Sequence, residues 1–144
     1  MNNNALFYTC SLIEFITRTT KHTHNEIIGM LGTNIDRMYK YHDVFHCEPI
    51  EKVADDFIQR ANIDIGNTDY ISTCQYDIPD YWDIGEVFQR LIEDCFTPDN
   101  YIHGIKKVFS SWIAVKLSNY NSDLYYQPRD YLAECYRVGE LLVA

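Results

Sequence analysis

His42 and His46 stand four positions apart, with Asp43 and Cys47 beside them. At helical spacing two such imidazoles share a face, from which both can reach a divalent ion. A zinc site needs a third and usually a fourth ligand, and beyond His22 and His24 the chain offers none at a recognisable spacing. His42 and His46 are therefore metal candidates without a completed ligand set, and no metal or cofactor is assigned. Asp77, Asp80 and Asp83, three apart, invite a cation or acid–base reading. They straddle Pro79 and lead into an apolar periodic run, however, where aspartates act as helix caps. Either Asp80 or Asp83 can cap, and Asp83 with Glu86 has capping-box spacing. The sequence contains no nucleophile elbow, phosphate-cradling glycine loop or zinc-protease helix, and its six glycines follow no pattern. Five single cysteines and five histidines are too scattered to mark a nucleophilic pair, so the reading is non-enzymatic.

Charge and aromatic content point to binding instead. The chain carries a net charge of −9, and its distribution is uneven. Residues 1–42 hold 4 Lys/Arg against 3 acids, residues 43–100 hold 3 against 14, and residues 101–144 hold 5 against 4, so the middle carries −11. A field of that sign repels phosphate backbones and favours a basic protein partner over nucleic acid. Twelve tyrosines accompany the acids, among them Tyr70, Tyr76, Tyr81, Tyr120, Tyr125 and Tyr126, and Trp82 joins them. Tyrosine and tryptophan bring large contact area with few rotamers and a polar tip, which suits an interface. The expected contact surface comprises Asp77, Asp80, Tyr81, Trp82, Asp83 and Glu86. An alternative is a DNA-binding regulator built on a helix-turn-helix over residues 24–46, read through IDRMYKYHDVFH with Arg37 and Lys40. A metal-binding protein or small enzyme is a further alternative.

The elements that must position these residues read as helices. Residues 5–17 are apolar almost all round, the pattern of a buried or interfacial helix, and a homodimer through this helix is one use of it. Thr23 and Glu26 form a capping-box pattern ahead of a short helix that stops near Gly32. A third helix is expected over 35–46, and a fourth, amphipathic one after Pro49 with Ile50, Val53, Ala54 and Phe57 on its apolar face. Residues 70–76 have the β-branched and aromatic content of one short strand or hairpin. Another helix carries Ile84, Val87, Phe88, Leu91 and Ile92; a long one starts at Thr97-Pro98 and runs to about Ser118; a last one follows Pro128 and weakens near Gly139. The expectation is an all-α, single-domain bundle of about six to seven helices over residues 1–144.

A length of 144 residues suits one core. The odd cysteine count without C-x-x-C pairs suggests a reducing compartment, and the amino terminus lacks a secretory or membrane-spanning pattern, so a cytoplasmic protein without membrane attachment is expected.

Three stretches, ALFYTCSLIEFITRTT, DVFHCEPIEKVADDFI and DIPDYWDIGEVFQRLI, resemble a family of small uncharacterised bacterial helical proteins, over roughly residues 4–120. The resemblance implies no activity and no residue roles. It does imply a binding partner, since such proteins look to be encoded beside ADP-ribosyltransferase-like toxins. The combined expectation is a non-enzymatic protein-binding domain with an acidic, aromatic surface, such as an antitoxin or accessory subunit of a toxin–antitoxin-like system.

Overall fold

A computed structural model describes residues 3–143. Among the described residues there are nine α-helices and two short 3-10 turns, with no strand. The helices are α1 (Asn4–Thr20), α2 (His24–Leu31), α3 (Asn34–Lys40), α4 (His42–Phe45), α5 (Ile50–Arg60), α6 (Tyr81–Cys95), α7 (Tyr101–Phe109), α8 (Trp112–Leu117) and α9 (Arg129–Val138). The all-α class agrees with the periodicity of the sequence, while the count exceeds the expected six to seven because two long helices are each broken once.

Both breaks have local causes. The helix expected over 35–46 interrupts at Tyr41, where the backbone leaves the helical region and the His42 imidazole takes the Tyr39 carbonyl at 3.1 Å. The helix expected from 98 to 118 begins as a 3-10 turn at Pro98–Asn100 and stops at Ser110. There the Ser111 hydroxyl donates to the Val108 carbonyl at 2.6 Å, competing with the backbone for an acceptor. The stretch 70–76 is a set of turns and not a strand. Asp69 accepts from the backbone N–H groups of Ile71 and Ser72, both at 3.0 Å, and this winds the chain away from an extended path.

Other boundaries follow the capping rules. Thr23 and Glu26 complete their box, at 3.2 and 2.9 Å. Asp80 caps α6 by accepting from the Trp82 N–H at 2.9 Å, and Gly139, in the left-handed region, closes α9 by donating to the Cys135 carbonyl at 2.8 Å.

The core is organised around α1. Leu6, Tyr8, Cys10, Leu12, Ile13 and Ile16 are each at most 1% exposed, because α2, α3, α4, α5 and α6 surround the helix. Most of residues 5–17 is therefore internal core, with Ala5, Phe7 and Phe15 partly exposed. The closest neighbour is α6, whose other flank packs on α7 and α9. Phe88 of α6 stacks on Phe109 of α7 with ring centroids 4.0 Å apart. Where α1 meets α6, Gly85 lies against Ser11: a Cβ at position 85 would overlap the Ser11 hydroxyl and stand 2.8 Å from Ser11 Cα. Ser11 Oγ is buried there without a hydrogen-bond partner among the described residues.

Substituting Gly85→Ala should lower unfolding free energy by about 1–3 kcal/mol through overpacking. Ser11→Ala removes an unsatisfied hydroxyl and should raise it by about 1 kcal/mol. Urea denaturation of the two variants checks both signs.

Candidate functional site

Glu14 sits in the middle of α1 with no exposure to solvent. A carboxylate in that position is tolerable only if it is fully hydrogen-bonded. It is: His24 at the start of α2 donates to Oε1 at 2.7 Å, while Arg18 at 3.1 Å and the Tyr120 hydroxyl reach Oε2. Burial pushes the Glu14 carboxyl up, but His24, Arg18 and Tyr120 outweigh it and hold the group at about 2. Tyr120, buried and beside that carboxylate, is driven the other way, well above the usual phenol range.

This network reaches from the core to one face of the molecule. The Arg18 guanidinium donates to the Pro79 carbonyl at 2.9 Å and to the Tyr120 hydroxyl at 3.0 Å, and it also lies over the Tyr120 ring, 5.1 Å from its centroid. Two segments of irregular chain, 77–80 and 119–126, are thereby tied to the same turn of α1. Asn121 ties the second segment to residues 73–75 as well, accepting from the Gln75 N–H at 2.7 Å and donating to the Thr73 carbonyl at 2.9 Å. Farther back, the connection between α5 and α6 is held by the Tyr70 hydroxyl on the His22 carbonyl at 2.6 Å and by His22 on the Asp64 carbonyl at 2.7 Å.

The face so built has two clefts separated by a ridge, Tyr125 against Tyr126, whose rings meet edge to face at 4.9 Å. On one side a cleft of about 350 Å³ has Val87, Leu91 and Leu132 among its lining, with Asp83, Glu86, Arg90 and Arg129 also lining it. Its arginines are already engaged: Arg90 pairs with Glu86 at 2.9 Å, and Arg129 with Asp94 at 2.8 Å and Glu93 at 3.3 Å. On the other side a broader cleft of about 860 Å³ is lined by Tyr76, Asp77, Tyr120 and Asp123 with the ridge. Burial and the neighbouring Tyr126, Cys74, Asp77 and Asp83 all raise the Tyr125 hydroxyl, which places both aspartates within electrostatic reach of it.

The six residues expected to form a contact surface divide. Asp77, Asp83 and Glu86 line the two clefts. Asp80 is spent as the cap of α6, and Tyr81 and Trp82 are half-buried against α1: Tyr81 meets Phe15 edge-on at 5.0 Å, and Trp82 packs on Phe7 at 5.5 Å. Tyr125, Tyr126 and Asp123 complete the face instead. Their signal in the sequence was the tyrosine run beside Asp123, which by itself does not say what it faces. The His46 ring stacks on Trp82 at 5.8 Å and His42 is bonded to Tyr39; among the described residues no group of three or more His, Cys, Asp or Glu is placed to share a metal ion. In the hairpin α2–α3, Ile35 and Met38 enter the core, while Arg37 and Lys40 are exposed over the Tyr41 ring at 5.6 and 5.4 Å. No described helix is long and apolar enough to cross a membrane. In comparisons with known proteins, no family model, curated protein or solved structure matched the chain.

Glu14 makes a specific acid dependence. Because its folded-state value is depressed, its contribution is present in full above the ordinary carboxylate value of 4.5 and is lost as pH falls towards about 2. Glu14→Gln should cost about 3–5 kcal/mol at neutral pH, since it strands a buried guanidinium. The variant should also lack that part of the acid slope, as read by urea melts between pH 7 and pH 2.

Proposed function

We propose that this chain is a non-enzymatic protein-binding domain that holds a basic partner on the face centred on Tyr125 and Tyr126, as an antitoxin or accessory subunit would. The observation that carries the reading is the state of three carboxylates on this face. Asp77, Asp83 and Asp123 have no ion-pair or hydrogen-bond partner for their carboxylates among the described residues, and Tyr76 and Tyr126 beside them are 68% and 67% exposed. Unpaired charges of one sign next to exposed aromatic rings favour a partner of the opposite sign, both in steering its approach and in contact area once it is bound. The remaining negative charge supports the same long-range field, because Glu51, Asp55 and Asp56 lie on the outward face of α5.

A binding role suits the make-up of this face. Its carboxylates stand on an open surface, and the buried Glu14–His24 pair is packed among Tyr70, Phe88 and Phe109, whose ring centroids lie 5.5 to 5.9 Å from the imidazole. That pair reads as a satisfied core contact.

Affinity capture from host lysate with the intact chain should retain a basic protein in a salt-sensitive manner. The triple substitution Asp77→Asn, Asp83→Asn, Asp123→Asn should release it, while Glu51→Gln with Asp55→Asn should not. Retention of the same protein by the triple variant with unchanged salt dependence would remove the electrostatic basis of the proposal.

A further inference from the structure

We propose that the broader cleft receives the ammonium group of a lysine side chain carried by the partner, held by the rings of Tyr76, Tyr125 and Tyr126 and by the carboxylates of Asp77 and Asp123. This rests on the protein-binding reading of the face and names what is recognised there. Four tyrosines line this one cleft, and their rings do not lie parallel. Tyr120 meets Tyr125 at 6.5 Å and 87°, and Tyr125 meets Tyr126 at 4.9 Å and 84°. An edge-to-face contact covers at most one face of each ring, and an aromatic face left open attracts a compact cation. The molecule already uses this chemistry at the inner wall, where Arg18 lies over Tyr120.

Charge separates the two clefts. The narrower one carries Arg90 and Arg129 among its lining residues, already paired with Glu86, Glu93 and Asp94, so that of its lining carboxylates only Asp83 has no ion-pair partner among the described residues. The broader one is lined by no Lys or Arg, yet has Asp77 and Asp123 from two different segments of chain. Lysine fits this better than arginine. Its charge is a compact point on an unbranched stem with donors in three directions, so it can lie between carboxylates that approach from separate segments. The planar guanidinium is matched to one carboxylate met in its own plane. Across the ridge, Val87, Leu91 and Leu132 offer an apolar seat for a neighbouring residue of the same segment.

The test is an NMR titration of the full chain, at fixed ionic strength, with the peptide acetyl-Gly-Ala-Lys-Ala-Gly-amide and its norleucine and arginine counterparts. The lysine peptide should shift the ring signals of Tyr76 and Tyr126 saturably, and the norleucine peptide should bind at least about tenfold more weakly. Tyr126→Ala should weaken the lysine peptide roughly three- to fivefold, and Asp77→Asn with Asp123→Asn about five- to tenfold. Glu51→Gln with Asp55→Asn, which removes as many negative charges from α5, should weaken it by less than about twofold. Equal binding of the norleucine peptide, tighter binding of the arginine peptide, or equal weakening by the α5 substitutions would overturn the proposal. Binding of n-butylammonium as tight as that of the lysine peptide would also overturn it, by making the cleft a site for free amines. Any of these results, obtained while the intact chain still captures a basic partner through Asp77, Asp83 and Asp123, removes the lysine site and leaves the protein-binding reading standing.

Discussion

One carboxylate, buried on the helix that α2 to α6 pack around, sets the terms for this fold. Glu14 has to be compensated where it lies, since an unpaired ionised group in such a place would cost several kcal/mol. Its three donors come from α1 itself, from the first residue of α2, and from Tyr120, 106 residues away in sequence. Satisfying it therefore fixes the path of three separate parts of the chain at once. A purely apolar residue at position 14 would place no such demand on Tyr120 or Arg18.

The same compensation explains why an irregular stretch can present a defined surface. The connection from 61 to 80 has no helix or strand, and loops of that length are otherwise loosely held. Here it is pinned at one end by Gly66, whose N–H donates to the Thr20 carbonyl at 2.7 Å and whose missing side chain lets it lie against His22, and at the other by Arg18 on Pro79. The tyrosine ridge and its carboxylates are thus displayed by loops while being positioned from the core. The electrostatic character of the face and the stability of the core share one residue, Arg18, which serves Glu14 inward and the 77–80 segment outward.

Much of the helical framework was legible from local pattern. The apolar stripe of α5, the run from Ile84 to Ile92 in α6 and the Thr23–Glu26 box are all short-range features, and each stands where periodicity and capping chemistry put it; the weak point at Gly139 proved to be the end of α9. The misjudged boundaries were also local, but of a kind that pattern does not weigh: the Ser111 hydroxyl and the His42 ring each take a backbone carbonyl and end a helix whose apolar spacing continues. Residues 70–76 looked like a strand by composition, whereas the Asp69 side chain, one residue upstream, decides the matter by bonding two backbone N–H groups.

What the sequence by itself determined is the all-helical class, the amphipathic faces and the concentration of negative charge between residues 43 and 100, because these depend on residue types at fixed short spacing. Only the tertiary structure decided that most of α1 is internal, that Glu14 is a hub rather than a polar interruption, and that Asp77 and Asp83 meet Asp123, Tyr125 and Tyr126 on one face while Tyr81 and Trp82 turn inward. The physical reason is the same in each case. A buried polar group must find its partners wherever the chain can bring them, and those partners lie up to 106 residues away, beyond the reach of any helical or strand period.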